Sequence, residues 1–411
     1  MSAAGVVIIG AGQAGSEVAT SLRQQGFADP ISLIGDEPYL PYRRPPLSKA
    51  FLAGDVALES LFIKSQATYD KLKINCRTGI GVESIDRAER QLRLYDGTLV
   101  AYDRLVLATG GRARHLSLQG AEFANVHYIR SVEDILRLRA GFTSGARLVI
   151  IGGGYIGLEA ASVGVKKGLL VTVVEALPRV LARVAVPELS AFYERLHRNH
   201  GVDVRTGVGV HGFEGHSRVE TVVLADGQRL AVDLVVVGVG LIPNTELAEA
   251  AGLEVQNGVV VDAAGCTSDP SIYGAGDCTF HENTFYGRRH RLESVPNALE
   301  QARVVASNLC GKAAAYAAVP WFWSDQYDLK LQMVGLSEGH DRLVIRGKLD
   351  DAHFIAFHLK EGIVISAQAV NRAQDFIIAK RLVAERVSVV AERLADEAAP
   401  LKDLIAAAGL A

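Results

Sequence analysis

The chain opens with an abrupt change of hydrophobic period. Residues 6–9, VVII, form an unbroken apolar run, and GAGQAG (10–15) follows at once. Next comes SEVATSLRQQG, where apolar positions fall at helical spacing. This order predicts a buried strand, a glycine turn and a helix packed back on the strand. The same order returns as RLVII (147–151), GGGYIG (152–157) and LEAASVGVKKG. Two more apolar runs, in YDRLVLATGG (102–111) and VDLVVVGVGLIPN (232–244), end in glycine or proline. They read as buried strands that run into crossings between domains. After about Trp321 the glycine units stop and strands with polar alternation take over. The fold class is therefore α/β, with two Rossmann-like dinucleotide-binding units ahead of a different C-terminal region.

Each glycine in such a turn has its own task. The first permits the tight turn, the second lets a phosphate approach the backbone, and the third lets helix pack on strand. Gly10, Gly12 and Gly15 meet this pattern, and Asp36 follows at about the expected 20-residue spacing. Glu37 is adjacent, so the choice of acid between the two stays open. Gly152, Gly154 and Gly157 repeat the arrangement, with Tyr155 and Ile156 inside the turn and Glu175 closing VTVVE. A single glycine turn is weak; two, each with its acid, imply two dinucleotides. The useful chemistry between two dinucleotides is hydride transfer, from a diffusing nicotinamide to a bound flavin. A carboxylate at Glu175 accepts from a ribose 2′-OH and repels a 2′-phosphate, which favours NADH. Arg179 and Arg183 lie close enough in sequence to soften that preference. A third signature, GAGD, places Asp277 between a strand and the flavin's ribityl–phosphate region, although GAGD also occurs as an ordinary turn.

Composition narrows the remaining classes. The 411 residues are enough for two or three domains, and 49% are hydrophobic, with 41 glycines. A net charge of −3 gives no pull toward nucleic acid or an anionic membrane. The apolar runs are short, glycine-broken and bounded by charge, so no membrane span is expected. Four cysteines, Cys76, Cys266, Cys278 and Cys310, show no CxxC and no metal spacing, as a reduced, cytoplasmic protein would. The HRNH pair, His197 and His200, lacks a third metal ligand and reads as a polar helix surface; no metal site is expected.

GAGQAG, PPLSKA, LVLATGG, VIIGGGYIGLE, VGVGLIPN, GAGDC, ESVPNALEQAR and WFWSDQY occur in that order along the whole chain. Together they resemble the FAD-dependent ferredoxin reductases of bacterial oxygenase systems. The resemblance implies the glutathione reductase fold: a split FAD domain (1–111 and 241–320), an inserted NAD domain (112–240) and a C-terminal α+β domain (321–411) with an antiparallel sheet. It implies FAD contacts at Ala14, Lys49, Val82, Arg130 and Val295, besides Gly10, Gly12, Gly15, Asp36 and Asp277. For NADH it implies Glu159 with the turn and Glu175. In PYRRPPLSKA (41–50) the prolines fix φ, so the segment is expected to form a rigid wall against the flavin. Lys49 is then a catalytic candidate near the flavin N5 edge, with Glu159 opposite it near the nicotinamide. Arg43 and Arg44 read equally well as solvated.

Many enzymes of this fold relay electrons through cysteines just after the first dinucleotide unit, and residues 39–64 contain none. Cys278 reads as packing. Two electrons then enter as hydride and leave singly, which suits a 2Fe–2S ferredoxin. The resemblance makes a cytochrome P-450-type monooxygenase the destination, with a ring-hydroxylating dioxygenase, or a flavin NADH oxidase or quinone reductase, as alternatives. In WFWSDQY, alternation puts Trp321, Trp323, Asp325 and Tyr327 on one face. The family places Trp323 at the ferredoxin dock. In SVPNALEQARVVASNL a buried stripe leaves Arg303 outside, where the resemblance has it meet an acidic ferredoxin.

Overall fold

The computed structural model describes residues 4–407. Its first sheet is fully parallel and runs Ile74–Arg77, Ile31–Ile34, Val6–Ile9, Arg104–Leu107, Ile272–Gly274. In chain order that is 3-2-1-4-5, with the order reversing beside Val6–Ile9, where such sheets bind ligands. The second sheet repeats the plan: Asp203–Thr206, Leu170–Glu175, Arg147–Ile151, Leu234–Val237, and Val126–Tyr128 at the far edge. Val6–Ile9 and Leu234–Val237 are buried along their whole length. Parallel strands covered on both faces need that unbroken apolar character. Gly10 and Gly152 end their central strands at φ +111° and +108°. A Cβ there would lie 2.1 Å from the Ala108 carbonyl oxygen and 2.4 Å from that of Gly238. Glycine is the residue that fits both places.

The chain crosses between the two parallel sheets twice. The crossings, Gly111–Ala113 and Leu241–Pro243, pair antiparallel with each other, Leu241 opposite Ala113. The C-terminal sheet is antiparallel, in the order Trp321–Gln326, Leu329–Gly335, Ile363–Val370, His353–Lys360, Arg342–Lys348. One of its faces buries Phe376, Leu382 and Val383 of the helix Ala373–Ala384. Leu401, Leu404 and Ile405, from the chain's final amphipathic stretch, join the same core. Among the described residues no helix is long and apolar enough to cross a membrane.

The opposite face of that sheet meets the second glycine unit, and the two share a core in which Phe354 packs edge-on against Phe192 at 5.2 Å. This contact corrects the reading of HRNH. His200 is exposed, but His197, on the helix Pro187–Asn199, is fully buried, because the strand Trp321–Gln326 covers it. Alternation along that strand also stops early. Tyr327 turns to φ +56° and reaches back to His197, away from the tryptophan face.

Burial pushes the imidazoles of His197, His281 and His358 down to about 4. Their unfolded counterparts take up protons near pH 6.5. The unfolded chain therefore holds more protons below pH 6.5, and stability, complete above that value, is lost as pH falls toward 4. Each histidine contributes up to about 3 kcal/mol to that loss. His358→Phe should flatten the dependence of the urea midpoint on pH in this window. Parallel midpoint curves for the two proteins would show that His358 carries no proton deficit.

Candidate functional site

Both glycine turns open into a single cleft of about 2100 Å³. Small-molecule pockets commonly span roughly 300–1,000 Å³, so this one has room for two dinucleotides. Gly12 and Gly154 are the N-caps of the helices Gln13–Gln24 and Tyr155–Lys166, and neither receives a side-chain cap. A Cβ on either glycine would meet nothing within 4 Å. The free space therefore lies over the unpaired N–H groups and the positive end of each helix, where a pyrophosphate belongs. Gly15 and Gly157 do the packing task instead. A Cβ on them would sit 2.0 and 2.2 Å from the carbonyl oxygens of Gly10 and Gly152.

On the flavin side, Gly10, Gly12, Ala14, Asp36, Lys49, Arg130, Asp277 and Val295 all line the cleft. Arg130 pairs with Asp277 at 3.2 Å, and its Nε is buried with no partner. An unpartnered guanidinium donor on a residue that lines the cleft suits an anionic group. Glu37 is committed elsewhere: its carboxylate accepts from Arg44 at 2.6 Å and from the Tyr42 hydroxyl at 2.5 Å. Asp36 is exposed at the cleft wall. Arg44 also donates to the Arg130 carbonyl at 2.6 Å, so it ties this corner together, while Arg43 stays exposed. Val82 stands apart from the other flavin candidates. Its side chain is buried in the core with Ile9, Ile34 and Leu94, and it does not line the cleft. Any contact from Val82 to a nucleotide has to come from its backbone.

On the nicotinamide side, Gly152, Gly154, Tyr155, Ile156, Glu159 and Glu175 line the cleft. Glu175 accepts from the Gly153 N–H at 2.7 Å and the Leu177 N–H at 2.8 Å, which fixes the carboxylate at the turn. Arg179 is bound to the Ala182 and Ala185 carbonyls and the Ser190 hydroxyl, so it is not free to meet a phosphate. Arg183 is exposed at the cleft.

The two halves meet at one buried carboxylate. Glu159 is 3% exposed, and Lys49 contacts its Oε2 at 2.7 Å. The family resemblance sets these residues opposite each other; in the structure they are an ion pair. Ser48 donates to Oε2 at 2.5 Å and Ser324 to Oε1 at 2.6 Å. Burial raises the Glu159 carboxyl above its ordinary value, against the opposing pull of Lys49 and the two hydroxyls. PPLS forms a 3-10 turn, Pro45–Ser48, that delivers Ser48 and Lys49 together. Sequence reasoning missed Ser48 and Ser324. Strand alternation held a signal for the second, since Ser324 lies on the face opposite the tryptophans.

Around this centre, the Tyr155 ring packs on Phe322 at 4.8 Å and its hydroxyl contacts the Met333 sulfur at 3.0 Å. Trp323 is half-buried and lines the cleft mouth, 5.6 Å from Trp321. Arg303 lies outside the cleft. It is half exposed but pairs with Glu17 at 2.8 Å and Glu300 at 3.1 Å, so its charge is already answered. All four cysteines are unpaired, and Cys278 is fully buried with its thiol pushed up by desolvation. No group of three or more potential metal ligands occurs among the described residues.

Two glycine cradles facing one cleft, with a charged pair between them, define a two-dinucleotide oxidoreductase. The chain belongs to the pyridine nucleotide-disulphide oxidoreductase family, whose model matches residues 4–302; a reductase C-terminal model matches 321–405. It is 48% identical to putidaredoxin reductase CamA of Pseudomonas putida, over 98% of this chain and 97% of that one. The solved covalent putidaredoxin reductase–putidaredoxin complex superimposes with a TM-score of 0.96 at 47% identity, covering 99% of both chains. The ferredoxin reductase for the CYP199A2 system from Rhodopseudomonas palustris gives 0.95 at 44% identity, covering 97% of this chain and 99% of that chain.

Gly12 has φ −97° and ψ −158°, a conformation open to any residue. Gly12→Val should therefore fold, yet fill the phosphate cradle and purify without flavin. A yellow Gly12→Val protein with full flavin stoichiometry would move the phosphate away from this turn.

Proposed function

We propose that this chain is an NADH-dependent ferredoxin reductase that carries FAD, passes single electrons to a 2Fe–2S ferredoxin, and so feeds a cytochrome P-450-type monooxygenase. The observation that carries the reading is the single cleft holding both glycine cradles, with Lys49 and Glu159 where they meet. The likeness to a reductase solved with its putidaredoxin partner supports the choice of acceptor. Residues 1–111 with 241–320 hold the flavin, 112–240 the nicotinamide, and 321–411 complete the cleft. Four unpaired cysteines suit a reducing, cytoplasmic setting.

Bound FAD supplies the chemistry that no side chain here can, taking two electrons as hydride and releasing them one at a time. The protein binds and orients. The helix that starts at Gln13 and the Arg130 guanidinium would hold the pyrophosphate, and Asp36 the adenosine ribose. Asp277 would contact the ribityl region, and Val295, which starts the helix Val295–Leu309, lines the cleft beside it. The second helix N-terminus and Glu175 hold NADH, while Glu159 and Tyr155 line the nicotinamide end. Lys49 sets positive charge beside the ring edge, which favours the electron-rich reduced form. Residues 39–64 offer no thiol, so electrons leave past Trp323 to an outside acceptor.

The purified protein should reduce ferricyanide and a 2Fe–2S ferredoxin with NADH; turnover with oxygen alone would favour the oxidase alternative. Glu175→Ala should narrow the preference for NADH over NADPH, read as the ratio of kcat/KM for the two. An unchanged ratio would place the discrimination elsewhere.

Arg303→Glu sets three carboxylates side by side where an acidic ferredoxin approaches. Ferredoxin reduction should fall by about tenfold, or 1.4 kcal/mol, mainly through KM, while ferricyanide reduction is kept. Equal losses with both acceptors would indicate damage to the flavin site.

A further inference from the structure

A chain of buried polar side chains leads away from Glu159 and has no part in the scheme above. Ser324 donates to Glu159 Oε1 at 2.6 Å and accepts from Gln326 Nε2 at 3.2 Å. The Gln326 Oε1 lies 2.9 Å from His197 Nε2. On the far side of the ring, His197 Nδ1 lies 2.9 Å from the Tyr327 hydroxyl. Ser324 and His197 are fully buried and Gln326 is 1% exposed. These residues come from the C-terminal strand Trp321–Gln326 and the helix Pro187–Asn199, yet they converge on a carboxylate of a third element, the helix Tyr155–Lys166.

The donors in this chain all point one way. Gln326 gives its amide hydrogen to Ser324, so its oxygen must accept, and His197 therefore carries its proton on Nε2. Nδ1 is then an acceptor and takes the Tyr327 hydroxyl. With its oxygen occupied as an acceptor by Gln326, Ser324 has its own proton free for Glu159. Turning the Gln326 amide over would bring its oxygen to Ser324 and draw the serine proton off the carboxylate. The Nε2–H form of His197, donating to the Gln326 oxygen, is the tautomer that goes with the orientation in which Ser324 gives its proton to Glu159.

We propose that His197, Gln326 and Ser324 form a positioning relay that holds the Glu159 carboxylate ionised and turned toward Lys49. The relay rests on the reading of Glu159 and Lys49 as the centre of a flavin site reduced by NADH. Glu159 is faced by Lys49, by the hydroxyls of Ser48 and Ser324, and by the phenols of Tyr155 and Tyr193. His197 is faced by Gln326, Tyr327 and His200. Among these, Lys49 is the group that stabilises negative charge on Glu159 by its own charge, and the relay delivers a fixed dipole to the other oxygen. Loss of that dipole makes the ionised form harder to keep in a buried site, so activity that needs it fails at a higher pH as acid is added.

The test is stopped-flow reduction of the FAD-loaded protein by NADH, from mildly acidic to mildly alkaline pH. Ser324→Ala should lower the limiting rate at neutral pH by about tenfold, with its acid limb displaced upward by about one pH unit. Ser324→Thr keeps a hydroxyl and should bring the limb back. His197→Phe touches neither Glu159 nor the cleft and should displace the limb in the same direction. If His197→Phe does not fold, the Ser324 pair decides alone. A Ser324→Ala protein that loses rate equally at every pH, or keeps the wild-type limb, overturns the relay while leaving the enzyme's proposed activity intact. Failure of NADH to reduce the wild-type flavin at any pH would overturn that activity, and the relay with it.

Discussion

Everything at the centre of this protein is organised around one carboxylate taken out of water. An ionised glutamate at the Glu159 position survives burial only if donors surround it. Two segments answer that demand: a 3-10 turn and the residue after it send Ser48 and Lys49, and a C-terminal strand sends Ser324, while the carboxylate's own helix starts at the second glycine cradle. Because the donors come from separate parts of the chain, satisfying Glu159 also fixes how those parts sit together. A buried pair of this kind adds little net stability, since desolvation offsets most of the attraction. What it gives here is geometry. Lys49, from the half with the first glycine turn, is held by Glu159, from the half with the second.

The two glycine turns impose the second constraint. Each is a place where a side chain is forbidden for backbone reasons at one glycine and for ligand reasons at the next. Gly10 and Gly152 have no room for a Cβ, whereas Gly12 and Gly154 have room that is kept clear. The same reasoning separates the two acids after the first sheet. Both acids line the cleft, but Glu37 is held by Arg44 and Tyr42, whereas the Asp36 carboxylate accepts only from the Glu37 N–H among the described residues. On the nicotinamide side, Arg179 staples the 176–186 loop to itself, which takes up one of the two nearby cations and leaves Arg183 exposed at the cleft.

The outer face shows how charge can be present without being available. Arg303 stands on the helix Val295–Leu309, which begins at the cleft, and the family resemblance reads it as a cation that meets an acidic partner. In the folded chain Glu17, from the first glycine helix, and Glu300 already hold it. Exposed pairs of this kind are weak, so a partner's carboxylate can compete for the arginine. Trp323, half-buried, lines the cleft itself.

The sequence by itself determined the parts whose physics is local. Strand, turn and helix follow from period and glycine position, and Glu175 from its spacing; spacing leaves Asp36 and Glu37 both open, and the antiparallel C-terminal sheet is implied by the family resemblance. That residues 39–64 hold no cysteine is likewise read directly from the chain. Tertiary structure alone decided the contacts between residues far apart in the chain. No period marks Lys49 and Glu159 as partners, because they are 110 positions apart and meet only when two domains close on each other. Ser48 and Ser324 are ordinary hydroxyls until a buried carboxylate lies beside them. His197 belongs to a polar stretch that turns inward because another domain covers it, and Val82 leaves the cleft because its strand side faces a core. Local pattern reports which face of an element is apolar. It does not report which other element will cover a polar face, and the chemistry of this site lies on those covered polar faces.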